Sequence, residues 1–328
     1  MSIHAKVEKV RAASAAYESY QRARAELFPM TTDVPLDGAL TSREHELLAD
    51  VDDLWRADPD TVADLRRYGK AISGVRRSNY KGERADLVKL RLDRDRLKLL
   101  EHGDSALWVN EPAVLGGFGL HGDNVFYNED TLRFFRIACL LNDAALVREF
   151  RVGTPRPTVW EIGGGWGGFA HCFKTLFPDV TYLITSPPTL LLLSATYLMT
   201  LFPEARVRFF QPSNPAAFWC DWDSVDFAFA PDTAVGELRP PTAALTLDIG
   251  TLERMTASRI EAHVQRAFDL GCRYMLSVCL GEEIQSASVR SALEKRYWMH
   301  PMAARAYLDR HLLVRSGAFL LAWKRLRA

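Results

Sequence analysis

The sequence has 328 residues, which is enough for two domains or for one large domain with an added region. Apolar residues make up 48% of the chain and charged residues 25%, as is usual for a globular protein. The 41 basic residues equal the 41 acidic ones, so net charge excludes a general attraction to nucleic acid or to an anionic membrane. We therefore expect neither nucleic acid nor a membrane as a partner, although a local basic patch could still exist.

The sequence predicts no targeting or membrane-spanning segment. Residues 1–8 lack the apolar centre of a signal peptide. The most apolar run, residues 190–193, is followed by Ser194 and by other polar residues, and it ends at Pro203, so it is too short to span a bilayer. The five cysteines include no C-x-x-C pair. We therefore expect a cytoplasmic protein with reduced thiols and without a disulfide framework or a zinc site.

The first half of the sequence predicts mainly helices. Thr41 and Glu44 have the spacing of a capping box, and Asn128 is expected to cap a later helix. Residues 111–128 are rich in glycine and have no clear period, which predicts an ordered loop. In one charged helix the leucines recur at helical spacing: Leu87, Leu90, Leu97 and Leu100. The predicted helices span residues 7–27, 42–55, 84–101 and 129–150.

The second half alternates short apolar runs with helical segments. The predicted strands span residues 158–162, 180–185, 207–210, 225–230, 243–249, 274–280 and 318–324. The predicted helices between them span residues 167–177, 189–202 and 257–270. Such alternation is typical of a mostly parallel sheet with helices on both faces. We therefore predict a doubly wound, Rossmann-like α/β domain over residues 153–328, preceded by a mainly helical domain over residues 1–152.

A glycine-rich turn follows the first of these strands. Gly163, Gly165 and Gly168 match the pattern G-x-G-x-x-G between a strand and a helix. Glycines there allow a sharp turn and a close approach of backbone to ligand, and the helix N-terminus offers free N–H groups. Glu161 lies two residues before the first glycine, where an acid is costly to bury without a polar partner. This stretch predicts a nucleoside-bearing cofactor, although Glu161 could simply accept backbone hydrogen bonds at the turn.

The same stretch resembles the class I S-adenosylmethionine-dependent methyltransferases, and among them it is similar to the sugar O-methyltransferases. The resemblance rests on Glu161 to Gly168, Pro187, the leucines 190–193 and Tyr197. It implies that S-adenosylmethionine is the cofactor and that Glu161 lies close to its ammonium group. It also implies O-methylation of a small polar molecule, either a sugar or a secondary metabolite.

The sequence departs from this resemblance at the end of the second strand. An acid at this position usually binds the ribose hydroxyls of the cofactor, but here the chain has Thr185 and Ser186. A hydroxyl binds ribose more weakly than a carboxylate does. A methyltransferase fold without catalysis, which serves as a binding or scaffold protein, therefore stays open. A nicotinamide-dependent oxidoreductase is a further alternative, and Glu161 argues against it.

Further candidate residues follow other predicted strands. Asp232 is a candidate for adenine or ribose, with Gln211 as a substitute, although Asp232 could simply form a turn. Asp248 and Glu253 lie just past strand residues 243–247, where ligands of parallel sheets bind, so either could assist proton removal. Asp248 could act as a base or as a metal ligand. Asp248 could instead cap a turn, and Glu253 could be solvated. His121 is a candidate for substrate contact or an exposed loop residue.

We predict that the helical region forms a lid over the cofactor site. The cofactor domain needs only about 170 residues, so we expect residues 1–152 to cover the carboxyl ends of the strands. The glycine-rich loop 116–124 would then lie at the pocket, because polar, ordered loops often contact ligands. The alternative is that the helical region forms a homodimer interface away from the site.

Overall fold

The N-terminal half of the protein consists of helices and one small hairpin. The computed structural model describes residues 3–31, 40–122, 124–151, 156–241, 243–279, 283–299 and 319–324. The boundary expected between residues 152 and 153 lies outside them. The helices are α1 (Ile3–Leu27), α2 (Ser42–Ala49), α3 (Pro59–Ala63), α4 (Gly69–Ser73), α5 (Glu83–His102), α6 (Glu129–Asp143) and α7 (Arg148–Arg151). The hairpin strands are β1 (Leu120–Gly122) and β2 (Val125–Tyr127).

Side-chain caps begin two of these helices, as the sequence predicts. The hydroxyl of Thr41 accepts from the N–H of Glu44 while the Glu44 carboxylate accepts from Thr41, which completes the capping box of α2. Asn128 caps α6 by accepting from two backbone N–H groups. The predicted ends are wrong, because α2 gives way to a 3₁₀ turn over Asp52–Arg56. The helix predicted over 129–150 breaks at Ala145, whose φ is +59°.

Helix α5 turns three of the four leucines of its predicted row outward, whereas Leu100 is half-buried and packs against the core. Leu87, Leu90 and Leu97 are 69%, 73% and 57% exposed. The helix instead buries Leu92 and Leu99, which are each 2% exposed. The sequence therefore predicts the helix correctly but does not identify the face that packs against the core.

The second half of the protein forms one sheet with helices on both faces. Its strands are β3 (Thr158–Ile162), β4 (Thr181–Ser186), β5 (Val207–Phe209), β6 (Phe227–Pro231), β7 (Ala243–Ile249), β8 (Tyr274–Val278), β9 (Tyr297–Met299) and β10 (Phe319–Lys324). Its helices are α8 (Gly168–Leu176), α9 (Pro188–Leu201), α10 (Ala257–Asp269) and α11 (Glu283–Glu294). Among the described residues, the strand order is β5-β6-β4-β3-β7-β8-β10-β9. Strand β10 runs antiparallel to both of its neighbours, whereas the pairs from β5 to β8 are parallel.

The order of the strands creates a switch point in the middle of the sheet. From β3 the chain adds β4, forms β5 at the edge and places β6 between β5 and β4, and it then returns to add β7 and β8 on the other side of β3. The crossovers of the two halves therefore diverge between β3 and β7. Ligands of doubly wound sheets bind at the carboxyl ends of the strands at such a point. The structure confirms the doubly wound α/β fold and places its expected ligand site after Ile162 and Ile249.

The helical region packs against one face of the sheet. One apolar core joins Tyr20, Leu54 and Leu132 of this region to residues of α8 and α9. A second core lies on the other face, under α10 and α11. Leu190 to Leu193 are all buried, because α9 is covered by the sheet on one side and by α1 on the other. Within the described residues, no helix is both long and apolar enough to cross a membrane.

Candidate functional site

A cavity lies at the carboxyl ends of β3, β4 and β7, at the switch point of the sheet. The sheet domain contributes Glu161, Gly163, Gly164, Gly165, Trp166, Gly168, Phe169, Ser186, Pro187, Leu190, Ile249, Gly250, Thr251, Arg254 and Met255 to its wall. The helical region contributes Glu44, Leu47, Leu48, Ile72, Ser73, Asp130, Arg133 and Phe134. The cavity encloses about 80 Å³, whereas sites for drug-sized ligands usually measure about 300–1,000 Å³. The helical region therefore covers this end of the sheet closely.

The glycine turn adopts the backbone geometry that its sequence predicts. Gly163, Gly165 and Gly167 have φ values of +72°, +53° and +86°, a region that disfavours residues with a Cβ atom. Helix α8 begins directly afterwards, so its free N–H groups lie beside the turn. A Cβ atom on Gly168 would lie 2.2 Å from the ring of Trp166. Gly168 is therefore needed for the packing of that ring.

Two protein side chains approach the turn where a ligand would pass. Thr251 donates a hydrogen bond to the carbonyl oxygen of Gly163, with an Oγ1–O distance of 3.2 Å. A Cβ atom on Gly163 would lie 2.1 Å from that hydroxyl oxygen. A Cβ atom on Gly165 would lie 2.9 Å from Cγ2 of Ile72 in α4. A ligand that follows the turn must therefore displace the end of the Ile72 side chain.

Glu161 lies in the cavity wall as a buried carboxyl group. It is 2% exposed, and its Oε2 accepts a hydrogen bond of 3.0 Å from the Tyr182 hydroxyl. Burial raises the pKa of Glu161 to about 7, because it penalises the ionised form more than the Tyr182 hydrogen bond favours it. A cation that enters the cavity would favour the ionised form of Glu161. The carboxyl is therefore placed to pair with a positively charged ligand group.

The two hydroxyl residues at the end of β4 face different surroundings. Thr185 accepts a hydrogen bond of 2.9 Å from the indole of Trp160, which ties it to the core. Ser186 lines the cavity, and its buried Oγ has no hydrogen-bond partner within the described parts of the chain. A buried, unpaired polar atom usually signals a missing ligand or water. Ser186 is thus the hydroxyl available to a ligand at the ribose position.

Asp248 holds the turn after β7 rather than lining the cavity. Its Oδ1 accepts from the N–H groups of Thr251 and Leu252 at 2.9 Å. Its Oδ2 accepts from the Ser277 hydroxyl at 2.6 Å. Burial raises the pKa of Asp248 to about 6 despite these bonds. Glu253 is 8% exposed, and neither acid is among the described residues that line the cavity.

Asp232 is not in contact with the cavity either. It forms an ion pair of 2.8 Å with Arg259, and Arg259 also pairs with Glu44 of α2 at 2.5 Å. Burial raises the pKa of Asp232. The substitute Gln211 donates to Glu26 at 2.9 Å. The structure thus corrects the proposed cofactor contact: Asp232 fastens α2 to the sheet domain through Arg259.

His121 also lies away from the cavity, on the exposed hairpin. It sits in β1, and its ring stacks on Phe126 with centroids 4.4 Å apart. Residues 116–119, 121, 122 and 124 line separate surface grooves. The loop predicted at the pocket is therefore misplaced, because residues 120–122 and 125–127 pair with each other as strands. His121 therefore does not line the cavity at the glycine turn.

Sequence reasoning missed a polar cluster that the helical region brings to the cavity. Asp130 accepts from Arg133 at 3.0 Å, from Arg66 at 3.2 Å and from the Ser73 hydroxyl at 3.0 Å. Arg66 is held over the ring of Trp166, 3.6 Å from its centroid. Asp130 was visible in the sequence only as an acid in the first turn of a helix. Arg133 lies on the same helix as Asp130, but Arg66 and Ser73 lie 64 and 57 residues earlier in the chain, so no local pattern could reveal the cluster.

Helices α2 and α4 are fastened over the cavity by side chains of the sheet domain. Arg254 donates to the carbonyl oxygen of Ile72 at 2.8 Å. The Thr41 hydroxyl donates to the carbonyl oxygen of Arg254 at 2.6 Å. With the Arg259–Glu44 ion pair, these contacts hold the helical region closed. Among the described residues, no group of three or more His, Cys, Asp or Glu side chains is arranged to hold a metal ion.

The fold and the cavity define a doubly wound α/β protein with a covered cavity at its switch point. No protein-family model and no curated protein matches the sequence. Solved structures similar to this chain include WbdD, with 12% identity and a TM-score of 0.38, over 61% of this chain and 42% of WbdD. Less than half of WbdD is therefore represented in the match.

Two further solved structures are named as methyltransferases. The magnesium protoporphyrin IX methyltransferase ChlM from Synechocystis PCC 6803, with bound SAM, matches at 11% identity and a TM-score of 0.34, over 62% of this chain and 87% of ChlM. An O-methyltransferase family protein from Burkholderia thailandensis matches at 11% identity and a TM-score of 0.34, over 61% of this chain and 60% of that protein. Likenesses of this size do not indicate what the present chain does.

Proposed function

We propose that the protein is an S-adenosylmethionine-dependent O-methyltransferase that acts on a small polar molecule. The observation that carries the proposal is Glu161, a buried carboxyl group in a cavity beside a glycine turn. A nicotinamide dinucleotide would bring its anionic pyrophosphate to such a turn, whereas the methionine part of S-adenosylmethionine has an ammonium group. The unpaired hydroxyl of Ser186 offers a second polar contact in the same cavity.

The residues present fit this cofactor if the helical region opens. The turn from Gly163 to Gly165 offers backbone for close approach, Glu161 would hold the ammonium group, and Ser186 would bind a ribose hydroxyl. The bound cofactor would supply an electrophilic methyl group. The volume of the closed cavity is too small for a nucleoside, so Ile72 and the helix that carries it must move for binding. A fastened but movable cover of this kind also excludes water from the site once closed.

We propose that positioning, rather than a strong base, drives the reaction. Asp248 does not line the cavity, and its carboxylate holds the turn after β7, so it is poorly placed to remove a proton from an acceptor hydroxyl. Holding two reactants in line can supply about 7–11 kcal/mol of the barrier. In this proposal Asp248 shapes the turn after β7, and Glu253 supports that turn. Both residues act from outside the cavity.

A second candidate function is that of a binding or scaffold protein whose cofactor site is inactive. Its support is the Ile72 side chain against Gly165, together with Ser186 where an acid usually binds ribose. In such a protein the cover would stay closed and the cavity would remain a packing feature.

Isothermal titration calorimetry with S-adenosylhomocysteine, S-adenosylmethionine and NAD separates these candidates. Binding of the two methyl-donor forms with no NAD signal is the expected result. Flat titrations with all three would favour the non-catalytic candidate, and an isotherm with NAD alone would overturn the proposal.

A further inference from the structure

The cavity has a second polar wall, which the helical region contributes. Ser73 ends α4, and Asp130 and Arg133 lie in the first turns of α6. All three line the same cavity as Glu161. Methyl transfer needs two ligands in one cavity, and the proposed function assigns the wall of the glycine turn to the cofactor. The helical wall is therefore left for the acceptor.

The charges of this wall cancel. Asp130 faces two guanidinium groups, those of Arg133 and Arg66, and Arg66 also pairs with Glu111 at 2.7 Å. Glu129 is a further acid that faces Arg133, and burial raises the pKa of its carboxyl. Two cations thus meet at least two anions. The wall has no excess positive charge with which to attract a carboxylate or a phosphate.

The wall nevertheless has unused hydrogen-bonding capacity. Arg133 is only 8% exposed, and its Nε has no hydrogen-bond partner among the described residues. The Asp130 carboxylate has about four acceptor sites and accepts three hydrogen bonds, from Arg66, Arg133 and Ser73. One donor and one acceptor site therefore remain on two side chains that already contact each other through Arg133 Nη1 and Asp130 Oδ1. A hydroxyl group, which both accepts and donates, is their complement.

We infer that Arg133 and Asp130 bind a hydroxyl of a neutral, hydroxylated acceptor and so determine the specificity of the enzyme. The acceptor oxygen takes the hydrogen bond of Arg133 Nε, and its hydrogen goes to Asp130. A carboxylate or phosphate oxygen has no hydrogen to give, and it would lie against the charge of Asp130. The inference rests on the proposed function, because it needs the cofactor on the other wall.

The first experiment asks which acceptors receive the methyl group. The full-length protein is incubated with S-adenosylmethionine that carries an isotopically labelled methyl group and with a cell extract split by anion exchange into neutral and anionic small molecules. Label in neutral hydroxyl compounds is the expected result. Label only in anionic products would overturn the inference, and so would label in neither pool. If neither pool is labelled, a normal isotherm with S-adenosylhomocysteine would still support the cofactor site. A flat isotherm would contradict the proposed function itself.

The second experiment uses Arg133→Lys. Lysine keeps a positive charge for Asp130 but has no N–H group at the ε position of arginine. We expect the KM for the labelled acceptor to rise about tenfold, the size of a lost hydrogen bond from a charged donor, with kcat changed less than about twofold. The affinity for S-adenosylhomocysteine should not change. The control is Arg67→Lys, because Arg67 is exposed and pairs with Asp53 away from the cavity. A loss of S-adenosylhomocysteine affinity in Arg133→Lys equal to the rise in KM would show that Arg133 contacts the cofactor, which overturns the inference.

Discussion

Ile72 of the helical region lies directly against Gly165 of the glycine turn, so that a Cβ atom on the glycine would be 2.9 Å from Cγ2 of Ile72. This contact joins the two halves of the protein at the point where the proposed cofactor would pass. The carbonyl oxygen of Ile72 also accepts from Arg254 of the sheet domain. Cofactor binding and the position of α4 are therefore linked through one residue.

Shortening Ile72 should make cofactor binding easier. In Ile72→Ala, we expect the affinity for S-adenosylhomocysteine to rise about threefold to tenfold, because less apolar surface must be displaced. The half-buried position should cost about 1–2 kcal/mol of folding stability, less than a fully buried isoleucine. Calorimetry and denaturant unfolding measure the two effects. Val88→Ala on α5 is the control, since Val88 is also half-buried but lies outside the cavity; an equal gain of affinity there would contradict the argument.

A side chain on Gly165 should remove cofactor binding. The variant Gly165→Ala places a Cβ atom against Ile72, and its φ of +53° should cost about 1–2 kcal/mol of stability. Gly271→Ala is a matched control, because Gly271 has a φ of +75° and no atom within 4 Å of an added Cβ. We expect both variants to be destabilised but only Gly165→Ala to lose S-adenosylhomocysteine binding by calorimetry. Unchanged affinity in folded Gly165→Ala would mean that the turn has only a structural role.

Glu161 should make stability fall as pH rises towards neutrality. Its pKa is about 7 in the folded protein, whereas the unperturbed side chain of the unfolded protein has a pKa of 4.5. The folded state therefore binds more protons between these values, and stability decreases from about pH 4.5 to pH 7. Glu161→Gln should flatten this slope, by at most about 3 kcal/mol over the window. The measurement is urea unfolding at pH 5 and pH 7. The same slope in both proteins would show that Glu161 is ionised throughout.

A carboxylate at the end of β4 should strengthen a working cofactor site. We expect Ser186→Asp to bind S-adenosylhomocysteine about tenfold more tightly, because hydrogen bonds to a charged group contribute about 1.5–3 kcal/mol. The control is Thr185→Asp, which should destabilise the protein by placing a charge beside Trp160 in the core. Calorimetry measures the affinity of both variants for S-adenosylhomocysteine. A large loss of affinity in Ser186→Asp would mean that the ribose lies elsewhere.

Local chemistry was enough to predict the centre of this fold from the sequence. The strand Thr158–Ile162, the glycine turn and α8 depend on apolar runs and on positive φ values, which neighbouring residues specify. The capping residues Thr41 and Asn128 are local in the same sense. Glu161 could also be assigned to the cavity in advance, because it immediately precedes the turn that ends its strand.

Only the tertiary structure decided which other polar residues share the cavity. Asp232 pairs with Arg259, and Arg259 reaches Glu44, which is 215 residues away in sequence. Asp130 gains its place through Arg66, 64 residues earlier. The exposure of Leu87, Leu90 and Leu97 on α5 could not be predicted either, since periodicity identifies an apolar face of a helix but not what packs against it. Burial and pairing depend on segments far apart in the chain, and a single sequence encodes them only through the complete fold.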